Sequence, residues 1–305
     1  MVKHCMLIIV LVCCVFKSNA QHTYNLNNIP QLNKYQDSLN ILSEETFAAK
    51  DDILRLEKNT AFIKKFITAL KTNGSFNYGF DSLKRISILK ASDNSFRIVT
   101  WFIPLNNGTY RYYGTIQMAT TNGSLKLFPL NDATATISDP YALTNHQNWL
   151  GARYYEIIPM VVNGKQPYYI LLGWKGNTLK TSKKVIEVLS FEKNEPIFGR
   201  NIFENAKNKP LQNRVIFEYS RKNAMTLIWD KKVNMIVFDH LAPYDPTMLG
   251  NYEYYGSDLS FDAFKITWGK LSLSENVELR NEATLNEDFY KSPKKASQVI
   301  VNPIR

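Results

Sequence analysis

Asn73-Gly74 marks a change of hydrophobic period, and no other feature limits the possible folds of this chain as much. Before it, Phe62, Ile63, Phe66, Ile67 and Leu70 recur every three to four residues while Lys64, Lys65 and Lys71 turn outward, the apolar stripe of an amphipathic helix. The spacing predicts helix from Leu26 to Leu70, with Ser43 as an N-cap ahead of the acidic Glu44 and Glu45, and with Asn73-Gly74 as the stop. After it the period falls to two. Tyr110, Tyr112, Ile116 and Met118 alternate with Arg111, Thr115 and Gln117, the pattern of an antiparallel strand with one face buried.

Turn chemistry sets the neighbours of that strand. Asn106-Asn107-Gly108 and Asn122-Gly123 tolerate the positive φ of tight hairpins and join it to Phe96–Pro104 and Ser124–Phe128. Asn163-Gly164 joins Tyr154–Val162 to Lys165–Trp174 in the same way. Further strands are expected at Val185–Phe191, Arg214–Tyr219, Met225–Trp229, Asn234–Asp239, Asn251–Tyr255 and Ala263–Trp268. The expected fold is mainly β, a large antiparallel sandwich or a curled, barrel-like meander over residues 76–271. A helical segment, 21–75, packs on it, and a polar tail runs from 272 to 305. A propeller would need an internal repeat, which the sequence does not display. An outer-membrane barrel conflicts with Ile98, Val99, Trp101 and Phe102, apolar on both faces of one strand.

At the N-terminus Lys3 and His4 precede the apolar run Cys5 to Phe16, and Ser18-Asn19-Ala20 supplies the small-x-small pattern that signal peptidase reads. Residues 1–20 are therefore expected to be a signal peptide, and the mature chain to begin near Gln21. The apolar run is about half of the roughly 20 residues that a spanning helix needs, and no transmembrane span is expected in the mature chain. The alternative is acylation of Cys13 or Cys14 to give a surface lipoprotein, although the preceding residues, Val12 and Cys13, are not the Gly or Ala usual there. All three cysteines lie in this leader, so a chain starting at Gln21 has no thiol for disulfides, nucleophilic catalysis or metal ligation. A chain of 305 residues buries enough core to stand without disulfides. Such a protein suits a bacterial periplasm, cell surface or extracellular space. The net charge is +10, and its lysines are scattered, with Lys183-Lys184, Lys231-Lys232 and Lys294-Lys295 as isolated pairs. That is solvated surface rather than a nucleic-acid footprint.

The chain holds no G-x-S-x-G, P-loop, G-x-G-x-x-G or H-E-x-x-H motif. A three-histidine zinc site would have to join His22, His146 and His240, and the acidic residues do not follow a calcium-loop pattern, so neither metal nor cofactor is expected. Polar chemistry concentrates in Asn234–Phe264. There His240 follows Asp239 at a strand end, with Asp245, Glu253, Asp258 and Asp262 downstream as partners for a general acid or base. Glu253 with Asp258 or Asp262 would suit a glycosidase, which works with two carboxylates. Tyr252, Tyr254 and Tyr255 could stack on sugars, and Trp174, between Gly173 and Gly176, offers another ligand platform. Ordinary strand ends, turns and cross-strand packing account for the same residues.

Four segments carry a resemblance: Gly173-Trp174-Lys175-Gly176-Asn177, Ile216-Phe217-Glu218-Tyr219, Ile236-Val237-Phe238-Asp239-His240-Leu241-Ala242-Pro243 and Tyr252-Glu253-Tyr254-Tyr255-Gly256-Ser257-Asp258. In that order they resemble an uncharacterised family of exported, β-rich proteins from Bacteroidetes. The resemblance implies an envelope location and transfers no activity, cofactor or catalytic residue. Together these readings lead to the expectation of a non-catalytic binding or structural protein of the cell envelope, with a glycan or an envelope protein as partner. A carboxylate-dependent glycan hydrolase and a surface lipoprotein are the alternatives.

Overall fold

A helical hairpin opens the fold: α1 spans Ile29–Ala48 and α2 spans Asp52–Lys71. The computed structural model describes residues 28–162, 164, 167–204 and 212–278, so the expected leader and most of the expected tail lie outside it. Asp51, not Ser43, is the internal N-cap. It holds extended backbone and its side chain accepts a hydrogen bond from the Leu54 N–H at 2.8 Å. Ser43 sits instead on the buried stripe Leu32, Leu39, Ser43 and Thr46, so the helix runs through it to Ala48. Gly74, at φ +87°, ends the helical region in the left-handed conformation that glycine adopts freely. No helix among the described residues is long and apolar enough to cross a membrane.

Three open sheets follow, and none closes into a barrel. The first is a meander of β1 (Ser87–Lys90), β2 (Phe96–Pro104), β3 (Tyr110–Met118) and β4 (Lys126–Asn131). The middle sheet joins β5 (Thr144–Asn145), β6 (Arg153–Met160), β7 (Tyr168–Gly176), β8 (Thr181–Glu192) and β9 (Glu195–Phe198). β11 (Val215–Ser220) pairs with the first half of the long β8, and β9 with its last residues. The third sheet orders β10 (Phe203–Glu204), β15 (Lys270–Ser274), β14 (Tyr255–Thr267), β13 (Met235–Pro243) and β12 (Leu227–Asp230). Among the described residues every strand pair is antiparallel except the two-residue pairing of β10 with β15. The expected tail thus contributes its first residues, Ser272-Leu273-Ser274, to a strand.

Period-two side-chain alternation stacks these sheets into layers. Val99, Trp101 and Ile103 of β2 face the helices, where Phe62, Phe66 and Leu70 of α2 cover them. Phe96 and Ile98 face the other way, against Tyr169 and Leu171 of β7. Tyr168, Ile170 and Leu172 of β7 turn to the third sheet and meet Ile236, Phe238 and Phe264. The first sheet is therefore covered on both faces. Even Gln117, on the face of β3 expected to see solvent, is buried and accepts a hydrogen bond from Arg97 Nε at 2.8 Å.

Candidate functional site

The residues expected to form one site fall into three groups. At the end of β13 the strand register shifts between Asp239 and Leu241, a bulge that turns His240 outward while Asp239 stays buried. Asp239 accepts a hydrogen bond from the Thr226 N–H at 2.7 Å and serves as a backbone clamp. His240 meets Asp262 of β14, with Nδ1 2.8 Å from Oδ2. The hydrogen bond to Asp262 raises the imidazole pKa above its ordinary value, and Asp258 and Glu275 add to the effect from a distance. Asp262 also accepts from the Asn276 N–H, while Asp258 caps Ser260 through both its N–H and its hydroxyl.

Glu253 lies elsewhere. The expected strand Asn251–Tyr255 is a single 3-10 turn over Tyr252–Tyr254, because Tyr255 is the residue that begins β14. Glu253 projects from that turn to an ion pair with Lys180 at 2.8 Å, which lowers its pKa. The two carboxylates of a glycosidase pair, Glu253 and Asp258, thus have different partners. Tyr252 and Tyr254 are exposed, whereas Tyr255 is buried, its ring 4.9 Å from that of Tyr252 and tilted 51° to it, with its hydroxyl accepting from the Gly250 N–H. Trp174 is half-buried, its ring 4.9 Å from Phe102 and 5.4 Å from Tyr110, so it packs with rings of the first sheet.

A cleft of about 410 Å³ has Tyr252 in its lining. Its floor is one end of the middle sheet: Lys175 of β7, Lys183 of β8, and Ile216 and Glu218 of β11, with Asn177 beyond β7. The wall is the segment after β4, through Thr134, Ile137, Pro140 and Tyr141. Glu218 and Lys183 are directly opposed across β11 and β8, and their charges meet at 3.1 Å. Glu218 also accepts from Asn177 Nδ2 at 2.9 Å and from Thr181 Oγ1 at 2.7 Å. Burial raises the Tyr141 phenol, with Tyr252, Asp139 and Glu218 adding to the shift.

Lys175 is the most constrained group in the cleft. Only 4% exposed, its ammonium donates to Thr134 Oγ1 and to the Gly151 carbonyl, each at 2.6 Å, and stands 4.4 Å from the centre of the Tyr112 ring. Burial pushes its pKa down to about 7, against the pull of Asp132 and with help from Lys183. Sequence reasoning singled out this turn for Trp174 and passed over Lys175. The signal was present: Lys175 continues the alternate positions Tyr169, Leu171 and Gly173, all buried on the same face.

A second buried charge pair anchors the wall. Arg214 Nε and Glu187 Oε2 lie 2.7 Å apart with neither side chain exposed, and the Arg214 guanidinium also donates to the carbonyls of Pro140 and Ala142. Pro140 and Tyr141 are thereby fixed over the sheet. Among the described residues no group of three His, Cys, Asp or Glu is placed to hold a metal ion. Comparison with protein-family models, curated proteins and solved structures finds no significant match, so what the cleft does must be argued from its own residues.

Proposed function

We propose that this chain is an exported, non-catalytic binding protein of a bacterial cell envelope, and that a glycan occupies the cleft between Tyr141 and Glu218. The observation that carries the reading is the pairing of two accessible tyrosines, Tyr141 and Tyr252, with a polar floor of Lys183, Asn177 and Glu218 in a cleft of about 410 Å³. Flat rings offer a surface for the apolar face of a sugar, and polar side chains beneath them fix its hydroxyls. A glycosidase needs two carboxylates around the scissile bond. Glu218 is the single carboxylate among the cleft's lining residues, and its oxygens already hold three donors, which supports binding over hydrolysis. The leader pattern of residues 1–20 and the resemblance to exported Bacteroidetes proteins support the location.

The test is a panel of envelope and extracellular oligosaccharides applied to the purified protein, read by thermal shift and calorimetry. Binding that disappears in Tyr252→Ala, without release of reducing ends, is the expected outcome. Release of reducing ends that stops in Glu218→Gln would establish the hydrolase instead. N-terminal sequencing of the protein from the native cell is expected to give Gln21; an acylated Cys13 or Cys14 would establish the lipoprotein.

A further inference from the structure

We infer that the cleft selects an acidic sugar, one carrying a carboxylate or a sulfate, with Lys183 as the residue that reads its charge; this rests on the glycan reading above. A protonated lysine carries three N–H donors, and a carboxylate offers acceptors only. Lys183 has one hydrogen-bonded or ionic partner among the described residues, the Glu218 carboxylate, and its side chain is 24% exposed. Its remaining donor capacity is open to the solvent or a ligand in the cleft.

The acids nearby are occupied. Glu218 takes Asn177, Thr181 and Lys183. Asp132 takes the Tyr112 N–H and both the N–H and hydroxyl of Thr134. Glu253 is held by Lys180. The cleft thus presents donors in excess, and the ligand that matches it presents acceptors in excess. A neutral sugar brings as many hydroxyl donors as acceptors, whereas a uronate or a sulfate ester adds oxygens that only accept. An anion on Lys183 also comes near Lys175, its direct neighbour across β7 and β8. The tyrosine hydroxyls of Tyr141 and Tyr252 are left for the neutral part of the ring, which distinguishes an acidic sugar from a bare anion.

Calorimetry tests this with four probes and inorganic sulfate: a uronic-acid tetrasaccharide and its carboxyl-reduced counterpart, and a sulfated tetrasaccharide and its desulfated counterpart. At least one charged member is expected to bind tenfold or more tighter than its neutral counterpart. Lys183→Met is expected to remove that preference and Lys183→Arg to keep it, with both variants melting cooperatively, since Glu218 retains Asn177 and Thr181. Whichever pair shows the preference identifies the acid group. Equal affinity within both pairs overturns the inference and leaves the glycan reading standing. Binding of none of the four overturns both, and inorganic sulfate as strong as the best tetrasaccharide overturns the sugar in favour of a simple anion site.

Discussion

Arg214 and Glu187 form an ion pair at 2.7 Å in which both side chains are completely buried, and the same guanidinium holds the carbonyls of Pro140 and Ala142. A charge pair of this kind is expensive to form and more expensive to break on one side, because the survivor keeps its desolvation cost without its partner. Arg214→Met is therefore expected to lower the unfolding free energy by about 3–5 kcal/mol in urea denaturation. Arg214→Lys is expected to recover little, because an ammonium lacks the planar fork that reaches a carboxylate and backbone carbonyls together. In folded Arg214→Lys protein the segment around Tyr141 is expected to exchange its amides faster, with weaker ligand binding.

Lys175 makes stability depend on pH with a defined sign. Its folded pKa is about 7, well below the ordinary 10.5. Between those values the unfolded chain binds a proton that the folded chain does not, so stability from this group rises with pH across the window and is lost as pH falls towards 7. Urea midpoints at pH 7.5 and pH 9.5 are expected to show a smaller rise in Lys175→Met than in the parent protein.

His240 has the opposite sign. Its pKa is raised above the ordinary 6.5 by the hydrogen bond to Asp262. Its contribution is fully present below the unfolded value and fades as pH climbs through the raised folded value. An imidazole titration by NMR is expected to return towards the ordinary pKa in Asp262→Asn, and hardly to move in Glu253→Gln, since Glu253 pairs with Lys180 and not with His240.

The helical hairpin is held mainly by packing. Phe62 stacks on Phe66 and meets the edge of Trp101, whose indole N–H donates to Asn59 at 2.9 Å. Phe62→Ala is expected to cost about 3–5 kcal/mol, the usual loss for a buried aromatic, read as a shift in urea midpoint.

Gly176 tests a close approach. A Cβ at this position would overlap the Tyr110 ring, which packs edge-on against Trp174 and Phe102. Gly176→Ala is expected to cost about 1–3 kcal/mol and to change the tryptophan fluorescence, because Tyr110 must leave its place.

Strong local signals made part of this molecule legible. β2 and β3 occupy Phe96–Pro104 and Tyr110–Met118 as their period and turn residues dictate, and the Tyr154–Trp174 hairpin pairs as expected. The layer arrangement was not legible, since alternation says which residues share a face and not which sheet covers it. Tyr252 and Tyr254 alternate like a strand, but their turn is set by Asn251 and by contacts with β11. The sequence signals β14 only from Ala263, because Ser257 to Ser260 read as a loop, and in the structure Ser257 pairs with Leu241 while the next three residues fall in the register shift opposite His240. Candidate residues were visible by type, yet the cleft joins Thr134–Tyr141, β7, β8, β11 and Tyr252, far apart in the chain. Of the acids named beside His240, Asp262 lies at 2.8 Å and Asp258 is near enough for the imidazole to act on it, while Glu253 pairs with Lys180.

The layers are stacked in the order in which the chain is written: hairpin, first sheet, middle sheet, third sheet. A chain that folds from its N-terminus can then grow by deposition, each new layer settling on the one already made. The exception is β11, which crosses back from the start of the third layer to complete the middle one beside β8. Since β11 brings Ile216 and Glu218, the cleft is absent until that late return is made. The cleft therefore lies where the chain order of the layers is broken, and any change that frees β11 from β8 removes Ile216 and Glu218 from it together.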